Sequence, residues 1–294
     1  MELRWLGVAG VELRSGGQTL AIDPYFTRVP LRHMLGRMQS DERLVADQIP
    51  RCDYVLVTHS HYDHLADVPE VVRNTGATVL GSANACRLLA ALRVPTRQVR
   101  QITVGDSLAL GDFHVEVLAG KHGKIPLARL FNRPLSPRLS PPLRAWDYRM
   151  DCCFSFLVHA AGYRVLVGLG EYPQESPAAD VLCIGVINSP ECYRSLLRRA
   201  RPQVVVPVHW DDLFRPLSQP TRPMLAPPAW TIPPLRRVDL ARFAHMIHAM
   251  SPATRVIIPE IFHPYKLVEI VPHPSKKPWT APGDEWYNES LALY

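Results

Sequence analysis

The stretch "VTHSHYDHLAD", residues 57–67, sets three histidines and two aspartates at the end of the apolar run "DYVLV". Alternate side chains of an extended segment point the same way, so His59 and His61 face one side and can grip one ion. Asp63 continues that parity where the chain begins to turn. His64, at the start of a following helix, can point back into the same space. Zinc accepts both imidazole nitrogen and carboxylate oxygen. Four such donors within residues 59–64 serve two ions only if remote segments complete both coordination shells. The chain must therefore fold so that distant strands end beside this turn.

The pattern along the chain can supply such strands. "ELRWLGV", "VELRS" and "QTLAID" read as short strands, the last two joined by a Gly16-Gly17 hairpin turn. "HLADVPEVVRNTG" has helix character and ends near Gly76. "ATVLG" is a strand, and "SANACRLLAAL" a helix with Ser82 as its N-cap. "FHVEVLAG" alternates as a half-buried strand does. The second half follows a similar plan. There "CCFSFLVHA" and "YRVLVGLG" flank an Ala-Gly turn, and "ADVLCIG" and "PQVVVPV" are strands around the helical "PECYRSLLRRA". "VDLARFAHMIHAM" is a helix and "TRVIIPE" a late strand. Hairpins followed by strand–helix alternation, twice over, predict an α/β protein of two sheets with helices outside.

Two segments resist regular structure. Residues 126–142 hold five prolines and residues 216–234 hold seven, and proline breaks helices and central strands alike. Both read as long loops capping one domain, residues 1–266. Residues 267–294 read as a terminal strand and an irregular extension.

Two later histidines stand where strands give way to loops, the usual edge position for chemistry in α/β proteins. His122 lies in "AGKHGK" after "FHVEVLAG", and His209 in "PVHWDD" after "VVVPV". His114 and His159 lie within strands and read as ordinary. His245 and His248 share a helix face without a carboxylate motif and read as solvated. His33 and His263 fall in loops.

With these residues in place, the chain resembles the metallo-β-lactamase superfamily. "THSHYDHL" matches its T-H-x-H-x-D-H signature, and the likeness runs from "LRWLGVAGVEL" through His122 to "VPVHWDDLF". The branch it looks most similar to is the lactonase-like and N-acyl-ethanolamine phospholipase-D-like one. The resemblance implies a four-layer αββα sandwich of two mixed sheets with outer helices. It implies that His59, His61 and His122 hold one ion, and that Asp63, His64 and His209 hold a second. Asp23, in "AIDPYF", would support a histidine ligand from behind; read alone, it is a turn aspartate before proline. The family bridges its two ions with an aspartate after a strand, whereas the matching "YRVLVGLGEY" carries Glu171. One methylene longer, that glutamate can bridge or turn away to the surface.

The implied cofactor is zinc, one or two ions, with Mn2+ or Fe2+ as alternatives. A bound divalent ion lowers the pKa of water to about 7. The expected reaction is therefore attack of metal-bound hydroxide on an ester-type bond, a phosphodiester or lactone, with Asp63 and His64 as the catalytic pair. Lys121, Lys124 and Arg133, with Tyr172 and Trp210, are candidate substrate contacts, since cationic groups suit anionic substrates. Leu127, Leu130, Phe131 and Leu135 beside them suit an apolar portion. Trp210 reads equally as core, and the cap equally as packed on its own domain.

Composition narrows the partners. The net charge of +6 and pI of about 9.1 fit a small anionic or lipid-like substrate. No aromatic-interleaved basic stripe marks a nucleic-acid surface, so a nuclease of the same superfamily is the alternative, and a non-catalytic metal-binding relative another. The six cysteines form no C-x-x-C pair. No apolar run is long enough to span a membrane. These features lead us to expect a reduced, soluble, cytoplasmic protein that makes at most peripheral membrane contact.

Overall fold

The computed structural model describes residues 1–122, 132, 134–168, 177–225, 236–272 and 274. Among them, strands pair into two sheets of seven. The first sheet contains β1 (Glu2–Gly7), β2 (Gly10–Ser15), β3 (Gln18–Ile22), β4 (Tyr54–Leu56), β5 (Thr78–Gly81) and β6 (Val99–Gln101) in sequence order, with β14 (Pro264–Lys266) outside β1. The second contains β7 (Ser107–Leu110), β8 (Phe113–Ala119), β9 (Phe154–Ala160), β10 (Tyr163–Gly168), β11 (Val181–Gly185), β12 (Val204–Val208) and β13 (Arg255–Val256), also in sequence order. Each sheet is antiparallel in its hairpin half and parallel in the half built through helical crossovers.

The alternation of side chains explains the layering. Leu13 and Val11 of β2 face the second sheet, while Glu12 between them pairs with Arg4 and Arg14, each at 2.7 Å. Leu20 and Ile22 face inward, and Ala21 faces out. From the other sheet Val115, Val117, Phe156, Val158, Val165 and Val206 close the central core. Each such side chain, fully buried, contributes roughly 1.5–3 kcal/mol, so this shared core fixes how the two sheets sit.

Helices cover both outer faces. α1 (Glu42–Gln48), α2 (Tyr62–Leu65), α3 (Val68–Thr75) and α4 (Ala83–Ala91) lie on the first sheet, where Val45, Leu65, Val71 and Leu88 join Val55 and Val79. α5 (Pro190–Ala200) and α6 (Leu240–Met250) cover the second through Tyr193, Leu197, Phe243 and Ile247. The result is the expected four-layer αββα sandwich, the metallo-β-lactamase fold. Local signals agree with it. Gly16 and Gly17 take φ of 56° and 85°, the left-handed pair a tight hairpin needs. Ser82 caps α4 by accepting from the Ala85 amide.

Three expectations are corrected. The helix read through "HLADVPEVVRNTG" is two helices broken at Asp67. Pro69 lacks an N–H and its ring would meet the carbonyl four residues back, so one continuous helix is barred. The terminal strand expected after residue 266 lies just before it: Pro264–Lys266 pairs with β1, and Leu267–Ile270 form a helical turn, α7, that buries Leu267 and Ile270. Only Arg255 and Val256 of "TRVIIPE" pair as strand. Of the two cap loops, residues 132, 134–142 and 216–225 are described and hold no helix or named strand, and Leu135 packs into the core under the first. All six cysteines are free. No helix among the described residues is long and apolar enough to cross a membrane.

Candidate metal centre

β4 ends at Leu56, and the chain then passes between the sheets. The Val57 amide donates to the Leu80 carbonyl, and the Thr58 carbonyl accepts from the Phe154 amide at the start of β9. This crossing presents His59 and His61 at one end of the sandwich. His61 keeps an extended backbone at the N-terminus of α2, and Asp63 and His64 occupy that helix. Two loops of the second sheet reach the same end. After β8, Gly120 runs so close to β9 that a Cβ there would lie 2.8 Å from the Phe154 carbonyl, and His122 follows two residues on. After β12 comes His209, whose backbone is left-handed, φ 52°.

The structure brings all six together in two trios. Ligand-type atoms of His59, His61 and His122 lie within 4.8 Å of one another, as do those of Asp63, His64 and His209. The trios adjoin, with the His59 and His64 ring centres 3.9 Å apart. His59 and His64 are almost fully buried, and His122 and His209 are half-buried.

The hydrogen bonds leave one nitrogen of each of three rings pointing inward. His64 Nδ1 stands 2.7 Å from Asp23 Oδ2, the carboxylate expected behind a histidine. Thr58 Oγ1 donates to the same carboxylate at 2.5 Å and lies 3.0 Å from His59 Nδ1, and the Thr58 amide donates to Asp23 Oδ1 at 2.8 Å. His61 Nε2 lies 3.3 Å from Asn132 Oδ1. This pattern assigns the N–H to Nδ1 of His59 and His64 and to Nε2 of His61. The other ring nitrogens, His59 Nε2 and His61 Nδ1, face each other at 3.1 Å. Two lone pairs so placed repel unless a proton or cation joins them, so the donor set fits a metal ion. Across the second trio, Asp63 Oδ2 lies 3.2 Å from His209 Nε2 and 3.6 Å from His64 Nε2.

Electrostatics agree with neutral imidazole ligands in the first trio. Burial, reinforced by the neighbouring rings, holds His59 well below the usual imidazole range. Burial likewise lowers His61 to about 4, against the opposing pull of Asp63. For His64 burial is outweighed by Asp23 and Asp63, which raise it. For Asp63 burial is outweighed by His64, His209 and His61, which hold the carboxyl below its usual range.

The remaining expected residues fare unevenly. Lys121 is exposed beside His122. Trp210 is in the central core, stacked on Trp5 with ring centres 4.9 Å apart, which answers the open reading in favour of core. Lys124, Arg133, Glu171 and Tyr172 lie outside the described residues. Arg149, one of the arginines after His122, donates to the carbonyls of Trp146 and Pro134. A cavity of about 590 Å³ borders the α2–α3 junction at Ala66 and Asp67, but none of the six converging side chains lines it. Sequence reasoning missed Thr58 as the link from Asp23 to His59, and Asn132 behind His61. The first sits inside the histidine motif and was legible there; the second has no local signal.

A profile described as the β-lactamase superfamily domain matches residues 18–145, a span that holds Asp23 and five of the six converging residues. The chain is 31% identical over 112 residues to a UPF0173 metal-dependent hydrolase of Pyrobaculum arsenaticum, covering 38% of this chain and 46% of that protein. It is 25% identical over 224 residues to one from Symbiobacterium thermophilum, covering 71% and 84%. The chain spans just under half the length of the first of these relatives. Among solved structures, Igni18, a metallo hydrolase of Ignicoccus hospitalis, superposes with a TM-score of 0.59 at 17% identity over 90% of this chain and 98% of that one.

Proposed function

We propose that this chain is a metal-dependent hydrolase of the metallo-β-lactamase superfamily, acting on an ester-type bond; the profile match over residues 18–145, the similarity to metal-dependent hydrolases and the shared fold support that reading. The observation that carries the reading is the convergence of six nitrogen and oxygen donors, from three remote segments, into two adjoining trios. His59, His61 and His122 would hold one divalent ion, and Asp63, His64 and His209 a second, with zinc the first candidate for N/O donors. Such ions, when bound, lower the pKa of water and polarise a carbonyl or phosphoryl oxygen.

The chain's own groups have narrower tasks. Asp23 fixes which nitrogen of His64 is free, directly, and which nitrogen of His59 is free, through Thr58. Asp63, held below the usual carboxylate range by His64, His209 and His61, is anionic at neutral pH; it would serve as a ligand to the second ion and as a hydrogen-bond acceptor toward water there. Glu171 is the candidate bridging carboxylate. Lys121 and Lys124 flank His122 and are candidates for holding an anionic substrate. The substrate we propose is a small phosphodiester or lactone, in keeping with the positive net charge and with the resemblance to the lactonase-like and phospholipase-D-like branch.

The test is elemental analysis of the purified chain together with turnover of a panel of phosphodiesters, lactones and thioesters. Two ions per chain and turnover of one class are expected, and His61→Ala is expected to lose activity and one ion. Undiminished turnover by metal-free His61→Ala would refute the reading.

A further inference from the structure

The two histidines of the second trio are held by different means. His64 has Asp23 on its outer ring nitrogen, but among the described residues nothing hydrogen-bonds the buried Nδ1 of His209. The ring of His209 is therefore aimed from its backbone. That backbone is left-handed, φ 52°, a region that non-glycine residues avoid unless their surroundings force it.

The surroundings form a closed ring of contacts. The His209 amide donates to the Val8 carbonyl at 2.6 Å. Val8, at the β1–β2 turn, is itself left-handed at φ 48°, and its carbonyl also accepts from Trp5 Nε1 at 3.0 Å. The Val8 amide donates to Asp211 Oδ1 at 3.0 Å. Asp211 Oδ2 takes Arg28 Nη2 at 2.5 Å, an ion pair with 1% and 0% of its side chains exposed. Arg28 is also left-handed, φ 46°. Its guanidinium occupies the space that a Cβ on Gly7 would fill. Asp211 thus grips Val8 from one side while His209, two residues earlier, grips it from the other.

We propose that Arg28 and Asp211 are positioning residues for the second ion: their buried pair locks the Val8 turn, and through it the strained backbone that aims His209 at Asp63. This rests on the two-ion reading above. A buried charge pair is a poor source of stability compared with apolar packing, because both groups lose their hydration. Geometry at His209 is a task that apolar packing would not do as well, since only directed hydrogen bonds fix a peptide orientation.

The experiment titrates the metal-free full chain with Zn2+ and with Co2+, reading ion stoichiometry, affinity and the Co2+ absorption spectrum. Wild type is compared with Asp211→Ala, Arg28→Met and the double variant. The double variant leaves no buried charge unpaired, so it stays interpretable if a single variant fails to fold. The expected result is one ion bound as in wild type, and the other weakened by about 10- to 100-fold. The melting temperature of the metal-free double variant should stay close to that of wild type. Wild-type affinity for both ions in the double variant would overturn the proposal. So would equal weakening of both ions with a lowered metal-free melting temperature, which is the mark of a merely structural pair. A wild-type chain that binds no ion at all would instead remove the two-ion reading beneath it.

Discussion

Asp23→Asn is the sharpest probe of how the centre is organised. The carboxylate accepts from the Thr58 amide at 2.8 Å, from Thr58 Oγ1 at 2.5 Å and from His64 Nδ1 at 2.7 Å. Asn keeps the size, and it tolerates the left-handed φ of 49° at this position as well as Asp does. The backbone is therefore not a confound. One carboxamide oxygen can still serve the Thr58 amide, but the NH2 now faces His64 Nδ1 and Thr58 Oγ1. To accept from it, His64 must move its proton to Nε2, the nitrogen 3.6 Å from Asp63. If the Thr58 hydroxyl also accepts from the NH2, it turns its proton toward His59 Nδ1, and His59 must likewise protonate Nε2. Both rings then present a donor where a lone pair is needed.

Loss of a carboxylate behind a metal-binding histidine costs about 10- to 100-fold in affinity, or roughly 1.4–2.7 kcal/mol. Here the same side chain serves one histidine of each trio, so both ions should weaken. Competition titration with a zinc chelator, alongside a melting curve of the metal-free variant, reads this directly. If Asp23→Asn binds both ions within twofold of wild type, the tautomers are not set by Asp23 and the reasoning fails.

Further outcomes follow from other contacts. Metal-free protein should lose stability as pH falls from about 6.5 toward 4, because the unfolded chain protonates His61 in that window while the folded chain resists until about 4. The shift corresponds to a loss on the order of 3 kcal/mol. His59 adds to it with the same sign, whereas the raised His64 acts above 6.5, where its stabilising effect is lost as pH rises. Denaturant titrations at several pH values check this, and an unchanged slope in His61→Asn would contradict it. Gly120→Ala puts a Cβ 2.8 Å from the Phe154 carbonyl; it should cost about 1–3 kcal/mol and weaken the ion held with His122, read by melting and metal content. Ser82→Ala removes the acceptor for the Ala85 amide; it should cost about 1 kcal/mol in a melting experiment with metal content unchanged, and a loss of metal would mean α4 matters more to the site than its contacts suggest.

What the sequence made legible was whatever rests on local periodicity. β2, β3, β8 and β11 stand where short apolar runs predicted strands, whether the run alternates as in β8 or is buried throughout as in β11. The 59–64 turn was legible because its donors are neighbours in the chain. Pro69 was a visible helix breaker that the apolar pattern around it obscured. Arg28 and Asp211 were not legible: they are 183 positions apart, and each reads alone as a solvated charge. Trp210 was ambiguous for the same reason, since its partner Trp5 stands at the other end of the chain.

The two trios divide their residues in one way. Each takes a pair from the turn after β4 in the first sheet, His59 with His61 or Asp63 with His64, and completes it with one histidine from the second sheet, His122 after β8 or His209 after β12. Neither trio draws all three of its donors from one sheet. The centre therefore depends on the packing angle and spacing of the two sheets, which the shared core of Trp5, Val11, Val117 and Phe156 sets. A cavity made there, far from any ligand, should reach the ions through sheet spacing alone. Its effect should fall on both trios at once, whereas a change at the Arg28–Asp211 pair acts on the second. That difference separates damage to the sandwich from damage to the devices that aim its ligands.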